Sequence, residues 1–247
     1  MLLLSPLTLT VMACGGGEGS AEQESTKVRT IPENSLATEG ERLPAGGYVI
    51  DEFRPAMSFK LGRGWRTSVD AYRGPGHSHR RLPAHGESLE MRDALTLYYA
   101  PEGKLVGTVA FFVEPRVYRV ASSYEAEKEP TPEDMGAWLR QNPYLNAEEP
   151  ESTTVGGKRG VRFDAVPSRV PEDYITCVEP EPCLPLFQSA NPDLAYELVR
   201  TDKVRFLIFD DVGGKTVTIA IKARTDRFDE FLPKAQKLIE TMEWNGR

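Results

Sequence analysis

The chain has 247 residues, 40% of them hydrophobic and 27% charged. That is apolar mass for one sizeable core and too much for a wholly disordered chain. Lys and Arg number 30 against 37 Asp and Glu, a net charge of −7 that speaks against a dedicated nucleic-acid binder.

Residues 1–13, MLLLSPLTLTVMA, form an uncharged, mostly apolar stretch ending in a small residue. As a helix it falls short of the roughly 20 apolar residues a bilayer span needs, and it suits the apolar region of a secretory signal. Residues 15–46 open with GGGEGSAEQEST and carry six glutamates against Lys27, Arg29 and Arg42. With so few large apolar side chains this stretch reads as a flexible tether. From residue 47 the pattern changes to short alternating strands. Residues 57–61 alternate apolar and polar and stop at Gly62-Arg63-Gly64-Trp65. Residues 95–99 and 106–113 are the next strands, separated by Pro101-Glu102-Gly103. Thr131-Pro132-Glu133-Asp134 predicts a helix start, with a Thr cap, Pro at the first helical position and acids in the first turn. Met135, Trp138 and Leu139 then share a face, and Asn142-Pro143 ends that helix.

Val155-Gly156-Gly157-Lys158 predicts a tight turn before a strand at 161–166, and Gly213-Gly214 predicts a hairpin between strands 204–209 and 216–221. A last helix is expected over 226–242, with Phe228, Phe231, Leu232, Ala235, Leu238, Ile239 and Met242 on one stripe and Pro233 expected to bend it or split off its first turn. Helices do not alternate with strands along the chain, so the expected class is α+β: a single domain, residues 47–247, with an antiparallel sheet flanked by helices.

Few patterns point to chemistry. His77, His79 and His85 lie within nine residues of one another and could in principle bind zinc or copper, but Arg73, Arg80 and Arg81 crowd the run with positive charge. A solvated basic loop is the expected role, with no metal and no cofactor. No G-x-S-x-G elbow occurs, and Gly213-Gly214-Lys215-Thr216 lacks the preceding glycine of a phosphate-binding loop. Acid pairs such as Glu148-Glu149 and Asp210-Asp211 read as solvated surface. Charge placement is more telling. Residues 60–92 hold Lys60, Arg63, Arg66, Arg73, Arg80, Arg81 and Arg92 against Asp70, Glu87 and Glu90, a balance of +4, whereas residues 124–152 balance at −6. Guanidinium forks match phosphate and carboxylate oxygens. Arg63, Arg66, Arg73, Arg80 and Arg81 are therefore the candidate contacts to an anionic envelope component or a partner protein.

Two resemblances bear on this reading. Val11-Met12-Ala13-Cys14-Gly15 resembles the lipobox of bacterial lipoproteins, with an aliphatic residue three before the cysteine and a small one immediately before it. The resemblance implies that residues 1–13 are a removable signal and that Cys14 takes a diacylglyceryl thioether as the mature N-terminus. Residues 14–46 would then be anchor and tether, with the domain in the cell envelope, on the outer side of the cytoplasmic membrane or in the periplasm. In such a non-reducing space, with Cys14 held by lipid, Cys177 and Cys183 are expected to pair as a disulfide. Phe53 to Trp65, FRPAMSFKLGRGW, together with the terminal helix ending in Glu243-Trp244, looks similar to PsbP/Mog1-like domains. That implies an antiparallel sheet between helices and an accessory or binding role. The expected function is a membrane-anchored, non-catalytic binding or interaction module. The alternative is a surface hydrolase with a site assembled from distant residues, in which one of the histidines would meet carboxylates in a deep pocket.

Overall fold

The computed structural model describes residues 29–30, 42–51, 53–67, 93–119, 128–170, 182–189 and 195–245. In chain order its elements are β1 (Arg29–Thr30), β2 (Gly46–Ile50), β3 (Met57–Leu61), β4 (Trp65–Arg66), β5 (Ala94–Tyr99), β6 (Gly107–Val113), β7 (Arg116–Tyr118) and β8 (Lys128–Glu129). Then follow α1 (Met135–Gln141), β9 (Leu145–Ala147), β10 (Glu151–Val155), β11 (Lys158–Pro167), β12 (Cys183–Gln188), β13 (Ala195–Val199), β14 (Asp202–Phe209), β15 (Val217–Arg224), α2 (Thr225–Ile239) and β16 (Glu243–Trp244). Among the described residues this is a mainly antiparallel β architecture with two helices, the α+β class expected.

The central sheet runs β10-β11-β14-β15-β6-β5-β4, with β9 pairing the far end of β11. Its middle strands are buried on both faces, so β6, GTVAFFV, is an unbroken buried run and not an alternation. Successive side chains still divide between the faces. Val109, Phe111 and Val113 enter one hydrophobic cluster, and Ala110 and Phe112 enter the other. The first cluster is closed by α2 and by β2 and β3 of the outer sheet β1-β2-β3-β16. The second is closed by α1 and by strands of the outer sheet β13-β12-β7-β8. The helices thus sit on opposite faces, each beside a further sheet, which makes three layers where the sequence pointed to one sheet and its helices.

Hairpin chemistry follows the glycines. Val155 pairs with Lys158 across Gly156 and Gly157, at φ 55° and 78°, the left-handed conformation that a two-residue turn demands. Gly213 and Gly214, at 66° and 79°, turn the β14–β15 hairpin inside a longer loop closed by Val212 N–H donating to Lys215 O at 2.9 Å.

Three expectations differ from the structure. The cap of α1 is Asp134, whose Oδ1 accepts from Ala137 N–H at 2.7 Å, while the Thr131 hydroxyl donates instead to Pro115 O. The helix therefore begins at Met135, and Pro132 precedes it. In α2, Pro233 does not split off the first turn, and the helix runs unbroken over Thr225–Ile239. Its buried stripe of Phe228, Phe231, Ala235, Leu238 and Ile239 holds it against the sheet despite the missing N–H donor. Met242 is buried beyond the helix end. Thirdly, parts of the stretch 14–46 belong to the folded body: Arg29–Thr30 pairs in parallel with Tyr48 and Val49, and Leu43 is buried with its N–H donating to Trp65 O at 2.9 Å.

Candidate functional site

The Gly62-Arg63-Gly64 turn between β3 and β4 places the first two of the sequence-predicted arginines. Gly64 has a φ of 95°, and a Cβ there would lie 2.9 Å from Tyr99 Cε2, so only glycine brings the turn this close to β5. Below it Trp65 packs on Tyr99 and Phe231 at centroid distances of 5.3 and 6.0 Å. This aromatic base holds the corner while Arg63 stands exposed in the turn. Arg66 pairs with Tyr98 on one side and forms an antiparallel bridge to Arg42 on the other. Ala100 N–H donates to Gly64 O at 2.8 Å, so the next turn, Pro101–Gly103 ended by Lys104, begins beside Gly64. Arg42, Arg63, Arg66 and Lys104 thus gather at one corner of the central sheet, with exposed Lys60 one residue from the end of β3. Glu102 shares the turn with Lys104. Arg42 and Lys104 were missed in the sequence because only strand pairing brings them to Arg63. Arg73, Arg80 and Arg81, like His77, His79 and His85, lie outside the described residues.

A second feature is a groove of about 180 Å³ between α2 and the β10 side of the sheet. It is lined by Thr153, Thr154, Arg162, Arg205, Gln236 and Glu240 over a floor that includes Leu207 and Ile221. Both guanidiniums are engaged. Arg162 donates twice to Glu151 Oε2, at 3.1 and 2.8 Å. Arg205 forms a fork on buried Asp164 at 2.6 and 3.1 Å, and Lys203 adds a contact of 3.3 Å. A sequence signal existed: charges recur at 162, 164, 203 and 205, on the same-face positions of otherwise apolar strands.

The opposite face buries its own carboxylate. Asp202 accepts from Val199 N–H at 2.9 Å and lies 3.6 Å from Lys222 Nζ. Lys222 also donates to Glu197 O at 2.9 Å and sits over the Tyr196 ring. Burial raises the Asp202 carboxyl above its ordinary 3.8, against the lowering pull of Lys222 and Arg224. Nearby, Cys183 opens β12 with 1% of its surface exposed, and it is disulfide-bonded. The chain's other cysteines, Cys14 and Cys177, lie outside the described residues.

Asp210, beyond β14, is raised by burial and by the adjacent charge of Asp134. Among the described residues no cluster of His, Cys, Asp and Glu is arranged to hold a metal ion, and no helix is long and apolar enough to cross a membrane. No protein-family model matches the chain, and no curated protein matches it.

Proposed function

We propose that this chain is a lipid-anchored, extracytoplasmic binding module, held to the cell envelope through Cys14 and meeting an anionic partner through Arg63, Arg66, Arg73, Arg80 and Arg81. The observation that carries the reading is the disulfide at Cys183. Such bonds persist outside the reducing cytoplasm, and the apolar leader with its Val-Met-Ala-Cys ending supports the same extracytoplasmic placement. Cys177 is its partner in this reading, which leaves Cys14 for the lipid. Two acyl chains suffice for stable anchoring, each buried methylene contributing about 0.8 kcal/mol. The kinship to PsbP/Mog1-like domains belongs to the same proposal. The two stretches on which it rests are neighbours in space, because Glu243 pairs with Ser58 and Trp244 with Met57.

The test is the N-terminal mass and the membrane partition of the mature protein. The expected results are an acylated N-terminus at Cys14, recovery with membranes, and no free thiol before reduction. Cys14→Ser is expected to remain an unprocessed precursor or to enter soluble fractions with its fold intact. A fully soluble wild-type protein without acyl mass would end the reading.

A further inference from the structure

A role for the basic corner around the Arg63 turn rests on the lipid-anchor reading above. We propose that the Arg42, Lys60, Arg63, Arg66 and Lys104 corner docks on anionic phospholipid headgroups, so that the anchored domain lies against the bilayer in one orientation.

Three observations converge on it. Charge complementarity is the first. Exposed Arg42, Lys60, Arg63 and Lys104 gather with half-buried Arg66 around one turn and outnumber the acids beside them, Glu102 in the neighbouring turn and Glu240 and Glu243 along β3, on a chain whose net charge is −7. An acidic protein repelled by an anionic surface as a whole can approach it only through such a corner. Rigidity is the second. The turn is fixed by the close approach of Gly64 to Tyr99 and by the Trp65, Tyr99 and Phe231 cluster, so the cations are presented on a preformed surface. The third is where the N-terminal chain joins the body. Arg29 pairs with Tyr48, two residues along β2 from Gly46, and Gly46 pairs with Leu61, next to the Arg63 turn. Arg42 is itself part of the corner. Residues between Cys14 and Arg29 can span at most about 50 Å. The lipid therefore keeps the whole domain within reach of the headgroups, the contact becomes intramolecular so that even a weak surface attraction suffices, and the choice of face falls to the charge of the corner.

The experiment uses the mature lipidated chain in vesicles of phosphatidylcholine alone or with phosphatidylglycerol added. The readout is the rate at which an amine-acylating reagent modifies Lys60 and Lys104. Lys215 serves as the internal reference, in the turn whose Gly213 lies beside Pro55, at the other end of β3. On anionic vesicles Lys60 and Lys104 should react about fivefold more slowly than on neutral ones, the factor associated with one cation at such a surface. Lys215 should be unaffected, and high salt should abolish the difference. The pair Arg42→Ser and Arg63→Ser should remove the protection, and the pair Arg42→Lys and Arg63→Lys should retain it. Equal rates on the two vesicle types overturn the docking while leaving the anchor in place. Protection that survives the serine pair also overturns it. Loss of the protein from neutral vesicles overturns the anchor itself, and this inference with it.

Discussion

The two faces of the central sheet solve the same electrostatic problem in different ways. Among the described residues each buries one carboxylate: Asp164 is 5% exposed on the α2 face, and Asp202 is 6% exposed on the α1 face. Asp164 meets a guanidinium fork and a second cation, Arg205 and Lys203, with both carboxylate oxygens engaged. Asp202 has a single lysine at the longer distance of 3.6 Å and one backbone donor. Taking a carboxylate out of water costs several kcal/mol, and Coulomb attraction offsets that only where geometry and hydrogen bonds are good. On the α2 face the pairing is dense and two-sided. On the α1 face burial prevails, and the carboxyl is pushed upward.

The largest expected effect tests that difference directly. Asp164→Ala strands Arg205 and Lys203, whose side chains are only 20% and 25% exposed. It should cost about 3 kcal/mol in urea unfolding at neutral pH. Asp202→Ala frees one cation, and Lys222 keeps its bond to Glu197 O and its place over Tyr196. Its cost should be about 1 kcal/mol. Equal losses would show that the number of partner cations does not separate the two faces.

The helices sharpen the comparison at a smaller scale. The α1 helix has a side-chain cap in Asp134, and Asp134→Ala should lower stability by about 1 kcal/mol. The α2 helix has Arg224 at its cap position with no side-chain cap bond, and its first residue, Thr225, instead donates from N–H and hydroxyl to Thr201 O. Arg224→Ser should therefore be neutral or gain up to about 0.5 kcal/mol, since the ion pair it loses with Asp226 is solvent-exposed. A loss comparable to that of Asp134→Ala would mean that Arg224 stabilises the α1 face through Asp202 more than geometry indicates.

Much of this contrast was hidden in the sequence, for physical reasons. Alternation was enough to locate β3, and apolar runs located β5, β6, β14 and β15, because side-chain period is a local property. The stripe from Phe228 to Ile239 was enough to locate α2 for the same reason. Which strands pair was not local. Asp164 faces Arg205 only because β11 and β14 pair in that register, 41 residues apart. Arg42 meets Arg66 only through an isolated bridge. Thr131 is the α1 cap expected from sequence and not the actual one, because its hydroxyl is drawn into a tertiary contact with Pro115 O and Asp134, which also carries an acceptor, caps the helix. The Arg63 turn was visible as Gly-Arg-Gly-Trp, but its neighbours Lys104 and Arg42 were not.

The smallest effect is a slope, and its sign distinguishes burial from pairing at Asp202. Above its raised folded value the carboxyl is ionised in both folded and unfolded chains, and the folded state bears the whole desolvation cost. As pH falls through that value the folded carboxyl takes a proton, whereas the unfolded one waits until about 3.8. In that window the folded state binds more protons, so this group's contribution to stability rises as pH falls and is complete below 3.8. Asp202→Asn removes the titration while its amide oxygen can still accept from Val199 N–H. The unfolding free energy of the wild type minus that of the variant, measured in urea from about pH 7 to 4, should therefore grow as pH is lowered. Comparing the two proteins cancels the acid response of the other carboxylates. A difference that shrinks on acidification would mean that Lys222 and Arg224 outweigh burial, making Asp202 a second, looser version of the Asp164 cluster.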